Sequence, residues 1–190
     1  MTPGVVAAAI VACEPRQTRW GQLMKVLVAV ASKHGATMEI GQVIEASLRS
    51  SGLAAELKRI EDVTGLSAYD AVVIGSGVYA GHWLRPAREF VDIHEGELKR
   101  LPVWLFSSGP VGDPPKPLEN PAEVAGVAKR IGSRGHRLFA GKIEGSDLGI
   151  SERALVALVR APDGDFRPWS EISTWAESIA EQLQRPSPAT

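Results

Sequence analysis

Five apolar runs, each tied to the next through a segment of different periodicity, leave this chain few ways to fold. The clearest run is Asp70-Ala71-Val72-Val73-Ile74-Gly75, apolar almost throughout, as a strand covered on both faces must be. Lys25 to Ala31 is the first strand, Ala55 to Ile60 a short second, Pro102 to Ser107 the fourth and Arg137 to Ile143 the fifth. Between them the period changes. Ile40, Val43, Ile44 and Leu48 recur at helical spacing until Ser50-Ser51-Gly52 stops them. Arg85 to Ile93 reads as a helix with Pro86 in its first turn, where a missing N–H costs nothing. Asn120-Pro121-Ala122-Glu123 starts another, with Val124, Val127, Ala128 and Ile131 on one face and Gly132 as its stop. Ile172, Trp175, Ile179 and Leu183 mark a last helix, capped by Ser170. Alternating strands and helices imply an α/β fold, a doubly wound five-stranded parallel sheet with helices on both faces, because parallel strands need crossover connections. In the order 2-1-3-4-5, strands one, three and four are neighbours, and their carboxyl-end loops form one site.

The 190 residues fit one domain, and 44% hydrophobic residues supply a core. The 21 basic and 22 acidic residues nearly cancel, so no global field draws in nucleic acid. Cys13 is the lone cysteine, which excludes an internal disulfide and a cysteine zinc site and is compatible with a reducing cytoplasm. Residues 1–23 read as an N-terminal extension: an ordered appendage, a disordered one, or a segment ahead of a true start at Met24. Its apolar stretch Val5 to Cys13 lacks the preceding basic residues of a signal peptide and the length of a membrane span. The domain proper is 24–185, and 186–190 is a tail. His34, His82, His94 and His136 lack paired ligand spacing, so no metal site is expected. His94 reads as the exposed end of a helix, and Trp104 and Trp175 as core.

The three loops are the unusual part of the chain. The first, Ser32-Lys33-His34-Gly35-Ala36-Thr37, joins a strand to a helix. Its backbone N–H groups, hydroxyls and helix dipole make an anion site, with a phosphate as the expected guest. Lys33 and His34 either add positive charge or point to solvent. The second is Gly75-Ser76-Gly77-Val78-Tyr79-Ala80-Gly81-His82-Trp83. Its glycines let backbone approach a flat ligand, and Tyr79 and Trp83 either stack on a ring or cover the sheet edge. The third, Ser107-Ser108-Gly109-Pro110-Val111-Gly112-Asp113 and on through Pro117, is too long for a plain connection. It is a backbone wall that reads a heterocycle's edge, or a rigid spacer.

Together these residues resemble the flavodoxin-like family. Ser32 to Thr37 matches its phosphate pattern of hydroxyls and glycine, except that His34 stands where the middle Thr is usual. Gly-Ser-Gly-Val-Tyr-Ala-Gly after strand three and Phe-Ser-Ser-Gly-Pro-Val-Gly after strand four are similar to the branch that includes menaquinone-dependent protoporphyrinogen IX dehydrogenase. Gly135 to Gly141 and Asp165-Phe166-Arg167-Pro168-Trp169 resemble that branch too. The resemblance implies FMN, with Ser32, Lys33, His34, Gly35, Ala36 and Thr37 on its phosphate. It implies that Ser76, Gly77, Val78, Tyr79, Ala80, Gly81 and Trp83, with Ser107, Ser108, Gly109, Pro110, Val111, Gly112 and Asp113, surround the isoalloxazine.

Bound FMN in turn implies an oxidoreductase passing electrons to or from a quinone, a tetrapyrrole or a partner protein, with no side chain as acid or base. The Gly77 peptide is then expected to turn its carbonyl toward the reduced ring. A quinone partner implies peripheral membrane contact. Arg85, Lys116 and Lys142 either meet a tetrapyrrole's propionates or are simply solvated. Two features depart from simple electron-carrier flavodoxins: the loop after strand four has no aromatic, and the net charge is only −1. The dehydrogenase branch carries an extra substrate loop, for which Gly145 to Asp165 is the nearest candidate. Three rivals stay open: an electron carrier without its own substrate, a nicotinamide-binding protein using Gly75 to Gly81 as a GxGxxxG motif, and a regulatory module without flavin.

Overall fold

The computed structural model describes residues 23–79, 81–109, 122–143 and 164–185. Cys13, Ala80, Pro110 to Asp113, Lys116, the helix-start signal Asn120-Pro121, most of Gly145 to Asp165 and the 186–190 tail lie outside them. In chain order the elements are β1 (Lys25–Ala31), α1 (Ala36–Ser50), β2 (Ala54–Arg59), a 3-10 turn (Ile60–Asp62), β3 (Ala71–Tyr79), β4 (His82–Trp83) and α2 (Arg85–Leu98). They continue with β5 (Val103–Gly109), α3 (Ala122–Ile131), β6 (Gly135–Ala140), β7 (Lys142–Ile143), β8 (Gly164–Asp165) and α4 (Trp169–Gln184).

The five long strands form a parallel sheet in the order β2-β1-β3-β5-β6, which is the expected 2-1-3-4-5 when long strands alone are counted. Successive side chains alternate between its faces. Val26, Val28 and Val30 of β1 face α1 and α4, joining Ile40, Ile44, Leu48, Ile172 and Ile179. Leu27, Ala29 and Ala31 face the other way, toward Phe90 and Val91 of α2 and Val124 and Ile131 of α3. Every side chain from Val26 to Ala31 is fully buried, and each fully buried Val or Leu contributes roughly 1.5–3 kcal/mol of transfer free energy. Trp104 and Trp175 are core residues, as expected. Gly75 is required by packing: a Cβ there would lie 2.0 Å from Phe106 Cζ, whose ring crosses that face of β3.

Several element ends differ from the sequence expectation. Ile60 leaves β2 and opens the 3-10 turn. Helix α2 runs past Ile93 to Leu98, because fully buried Leu98 continues the apolar stripe of Phe90 and Val91, while Ile93 itself is exposed. His94 is not an exposed helix end; its side chain is 12% exposed and its ring packs on Phe90 at 4.7 Å. The fifth long strand stops at Ala140, and residues 142–143 turn off to pair antiparallel with β8. Ser170 does not cap α4, which starts one residue earlier behind Pro168 with no side-chain cap.

Candidate functional site

β1, β3 and β5 are adjacent, so their carboxyl ends stand side by side: Ala31 pairs with Ser76, Ser76 with Ser107, and Gly77 with Ser108. Beyond these ends, described residues of the first and second turns lie against each other and against the end of β5. A Cβ on Gly77 would lie 3.3 Å from Thr37 Oγ1, which brings the second turn against the first. Tyr79 comes within 6.3 Å of the His34 ring, and Lys33 Nζ lies 5.7 Å from the Tyr79 centroid. A Cβ on Gly109 would lie 3.0 Å from Val78 Cβ, joining the third strand end to the second turn.

The first turn is built to leave amides free for a ligand. Gly35 adopts φ 87°, a left-handed conformation that glycine takes without strain, and it opens α1 with no side-chain cap. Its own N–H donates to Ser32 Oγ at 3.1 Å, and its carbonyl accepts from Glu39 N–H. Helix geometry leaves the amides of Ala36, Thr37 and Met38 without intrahelical partners, at the positive end of the dipole.

The expected site residues divide by burial. Ser32, Lys33, His34, Gly35, Ala36, Val78, Tyr79, Gly81 and Gly109 retain accessible surface. Thr37, Ser76, Gly77, Trp83, Ser107 and Ser108 are buried beneath them. Trp83 is 2% exposed and has no ring face to offer a ligand; its indole N–H donates to Ser107 Oγ at 2.8 Å. Ser76 Oγ accepts from Leu84 N–H and donates to the Gly77 carbonyl at 2.9 Å. That carbonyl is therefore already engaged, and turning it toward a ligand breaks this bond. Gly75 and Gly77 lie within β3, which runs on into a hairpin with β4. This is not the strand-to-helix turn that a dinucleotide fingerprint needs, so the nicotinamide reading loses its structural basis.

Three residues support the site in roles that the sequence analysis did not assign to them. Glu123, a helix-start acid by its position, reaches from α3 to β4, where it accepts the Trp83 amide and pairs with His82 Nδ1 at 3.1 Å. His136 Nε2 lies 2.9 Å from Ser107 Oγ, and burial pushes its pKa down to about 4. A neutral imidazole accepting at Nε2 completes a chain from the Trp83 N–H through the Ser107 hydroxyl. Arg167 is the third. Its side chain is 2% exposed; it holds Asp165 through Nε and Nη2 at 2.7 Å each and donates from Nη1 to Glu39 Oε2 at 2.8 Å and to the Ala36 carbonyl at 3.0 Å. Burial opposes the Arg167 charge, but the hydrogen bonds to Asp165 and Glu39 outweigh it and raise the pKa. The signal for Arg167 is the Asp165-x-Arg167 pair set among Phe166, Pro168 and Trp169; Glu123 and His136 carry no signal short of the topology.

Of the basic residues weighed for propionates, Lys116 lies outside the described residues. Arg85 pairs with Glu89 one helical turn on, and Lys142 sits in β7 near Asp165. A concavity of about 430 Å³ lies elsewhere, between β6 and α4, lined by Arg137, Phe139, Glu171 and Trp175 among others. None of its described lining residues belongs to the turns, and the closeness of the first two turns to each other and to the end of β5 makes that edge of the sheet the stronger candidate. Among the described residues there is no cluster suited to a metal ion, and no helix long and apolar enough to cross a membrane.

Comparison with known proteins bears on the family and the fold. The family model described as a flavodoxin domain matches residues 27–167. A protoporphyrinogen IX dehydrogenase (quinone) of Escherichia coli strain K12 is 22% identical over 181 residues, covering 86% of this chain and 99% of that enzyme. Among solved structures, a flavodoxin from the domain Archaea superposes with a TM-score of 0.60 at 18% identity, over 85% of this chain and all (100%) of its own. The rubredoxin oxygen:oxidoreductase of Desulfovibrio gigas gives 0.59 at 16% identity, over 84% of this chain and 36% of its own.

Proposed function

The chain belongs to the flavodoxin-domain family, and from that premise we propose that it binds FMN at the carboxyl ends of β1, β3 and β5 and is an oxidoreductase acting with a quinone or a partner protein. The observation that carries this reading is the contact of the turns after β1 and β3 with each other and with the end of β5. The residues fit the group. The Gly35 turn presents the Ala36, Thr37 and Met38 amides to a phosphate, with the Ser32 hydroxyl beside them. Val78, Tyr79 and Gly109 offer backbone and one aromatic side chain to a ring. FMN, when bound, supplies the electron-carrying ring that the twenty side chains lack. The protein's part is to bind and orient that ring and to tune it. Buried Trp83, Ser76 and Ser107, with half-buried Glu123, hold the second turn rigid, so that its groups are preorganised. Pro110 to Asp113 complete the wall in this proposal.

The specific reaction we propose is oxidation of protoporphyrinogen IX with a menaquinone-type acceptor, supported by the E. coli relative that spans nearly the same length. An electron carrier without its own substrate is the second reading, favoured by the likeness to the archaeal flavodoxin. Titration of the purified protein with FMN tests the common part: a shifted absorbance spectrum and quenched flavin fluorescence are expected. Protein that stays colourless after saturation refutes it. Protoporphyrinogen with a menaquinone analogue then separates the two readings, since a bound flavin that never turns over leaves only the carrier.

A further inference from the structure

The first turn of α1 contains a contradiction. An anion is favoured at a helix N-terminus, yet Glu39, in that first turn, brings its own negative charge to the same place. Asp165 lies close by as a second carboxylate, since both are bound by one guanidinium. Arg167 resolves this. It comes from 131 positions away in the chain, is buried, and spends its fork on Asp165 and its remaining Nη on Glu39 and the Ala36 carbonyl. Trp169 closes over it at 4.3 Å from the ring centroid, and the Phe166 amide anchors the same segment to the Gly141 carbonyl.

We propose that Arg167 is the positioning residue of the phosphate turn, holding the α1 N-terminus through the Ala36 carbonyl and cancelling Glu39 so that the first-turn amides accept a dianion. This rests on the FMN reading above. Arg167 makes no contact with the ligand in this scheme. It acts in two ways: the bond to Ala36 fixes the direction of the first amides, and its charge offsets that of the acidic residue beside them. With Arg167 present the three-residue group carries a net charge of −1; without it, −2, next to the phosphate. Both effects concern the phosphate and leave the isoalloxazine wall untouched.

The test compares FMN with riboflavin, which has the same ring and no phosphate, by fluorescence titration of the full-length apoprotein. R167Q is expected to weaken FMN about tenfold or more while changing riboflavin less than twofold. Adding E39Q to R167Q should recover most of the FMN loss, because it removes the charge that Arg167 had cancelled. E39Q alone should tighten FMN severalfold and leave riboflavin unchanged, and this single variant carries the test if circular dichroism shows R167Q unfolded. An equal loss for both flavins in folded R167Q, or an E39Q protein with wild-type FMN affinity, overturns the inference while the FMN reading stands. A wild-type protein that binds neither flavin overturns both.

Discussion

Ser107→Ala tests whether the site rests on a buried polar chain. Ser107 is 0% exposed and Trp83 2%, so water does not replace the lost hydroxyl. The indole N–H, now 2.8 Å from Ser107 Oγ, is left as a buried donor without an acceptor. Stranding such a group costs about 1–3 kcal/mol, and we expect about 2 kcal/mol here. With a urea m-value of about 2 kcal/mol/M, the midpoint falls by roughly 1 M. The same substitution in a Trp83→Phe background should cost under about 1 kcal/mol, because no indole N–H remains to be orphaned. The lost bond to His136 is common to both arms and cancels between them. Urea denaturation followed by far-ultraviolet circular dichroism gives all four midpoints. Equal costs in the two backgrounds, or a cost below about 0.5 kcal/mol beside Trp83, refute the polar chain.

Other substitutions probe the remaining supports. Gly75→Ala drives a Cβ to 2.0 Å from Phe106 Cζ and should cost about 1–3 kcal/mol or more, measured as a fall in Tm; an unchanged Tm means the ring does not cross β3 as described. Glu123→Ala removes the acceptor of the Trp83 amide and should destabilise by about 1–2 kcal/mol and speed hydrogen exchange at that amide, whereas unchanged exchange counts against the α3–β4 clasp. His136 has its pKa depressed from 6.5 to about 4, so between those values the unfolded chain holds more protons than the folded one. Stability should therefore fall as pH drops from about 6.5 toward 4, and H136Q should flatten that slope; the same slope in both proteins refutes the assignment.

Local pattern was enough to reveal the five long strands, the helices between them and the Gly35 turn, though not the short strands β4, β7 and β8, because the former are dictated by residues within a few positions of one another. Val26 to Ala31 is apolar at every step, which a strand buried on both faces requires, and Gly35 stands where only a left-handed residue opens the helix. Tertiary structure decided which side chains serve the site and which support it. Trp83 and Tyr79 look equivalent in sequence, yet one is sealed under the turn by Ser107 and Glu123 and the other stands beside Lys33 and His34. Arg167 meets Ala36 across 131 positions, and Ser107 meets His136 across 29. Such pairings depend on the order in which strands assemble, and no periodicity within one element encodes them. The alternation of polar and apolar residues specifies which face of each strand and helix is buried, while the partner met by a polar atom once buried follows only from which elements the sheet places side by side.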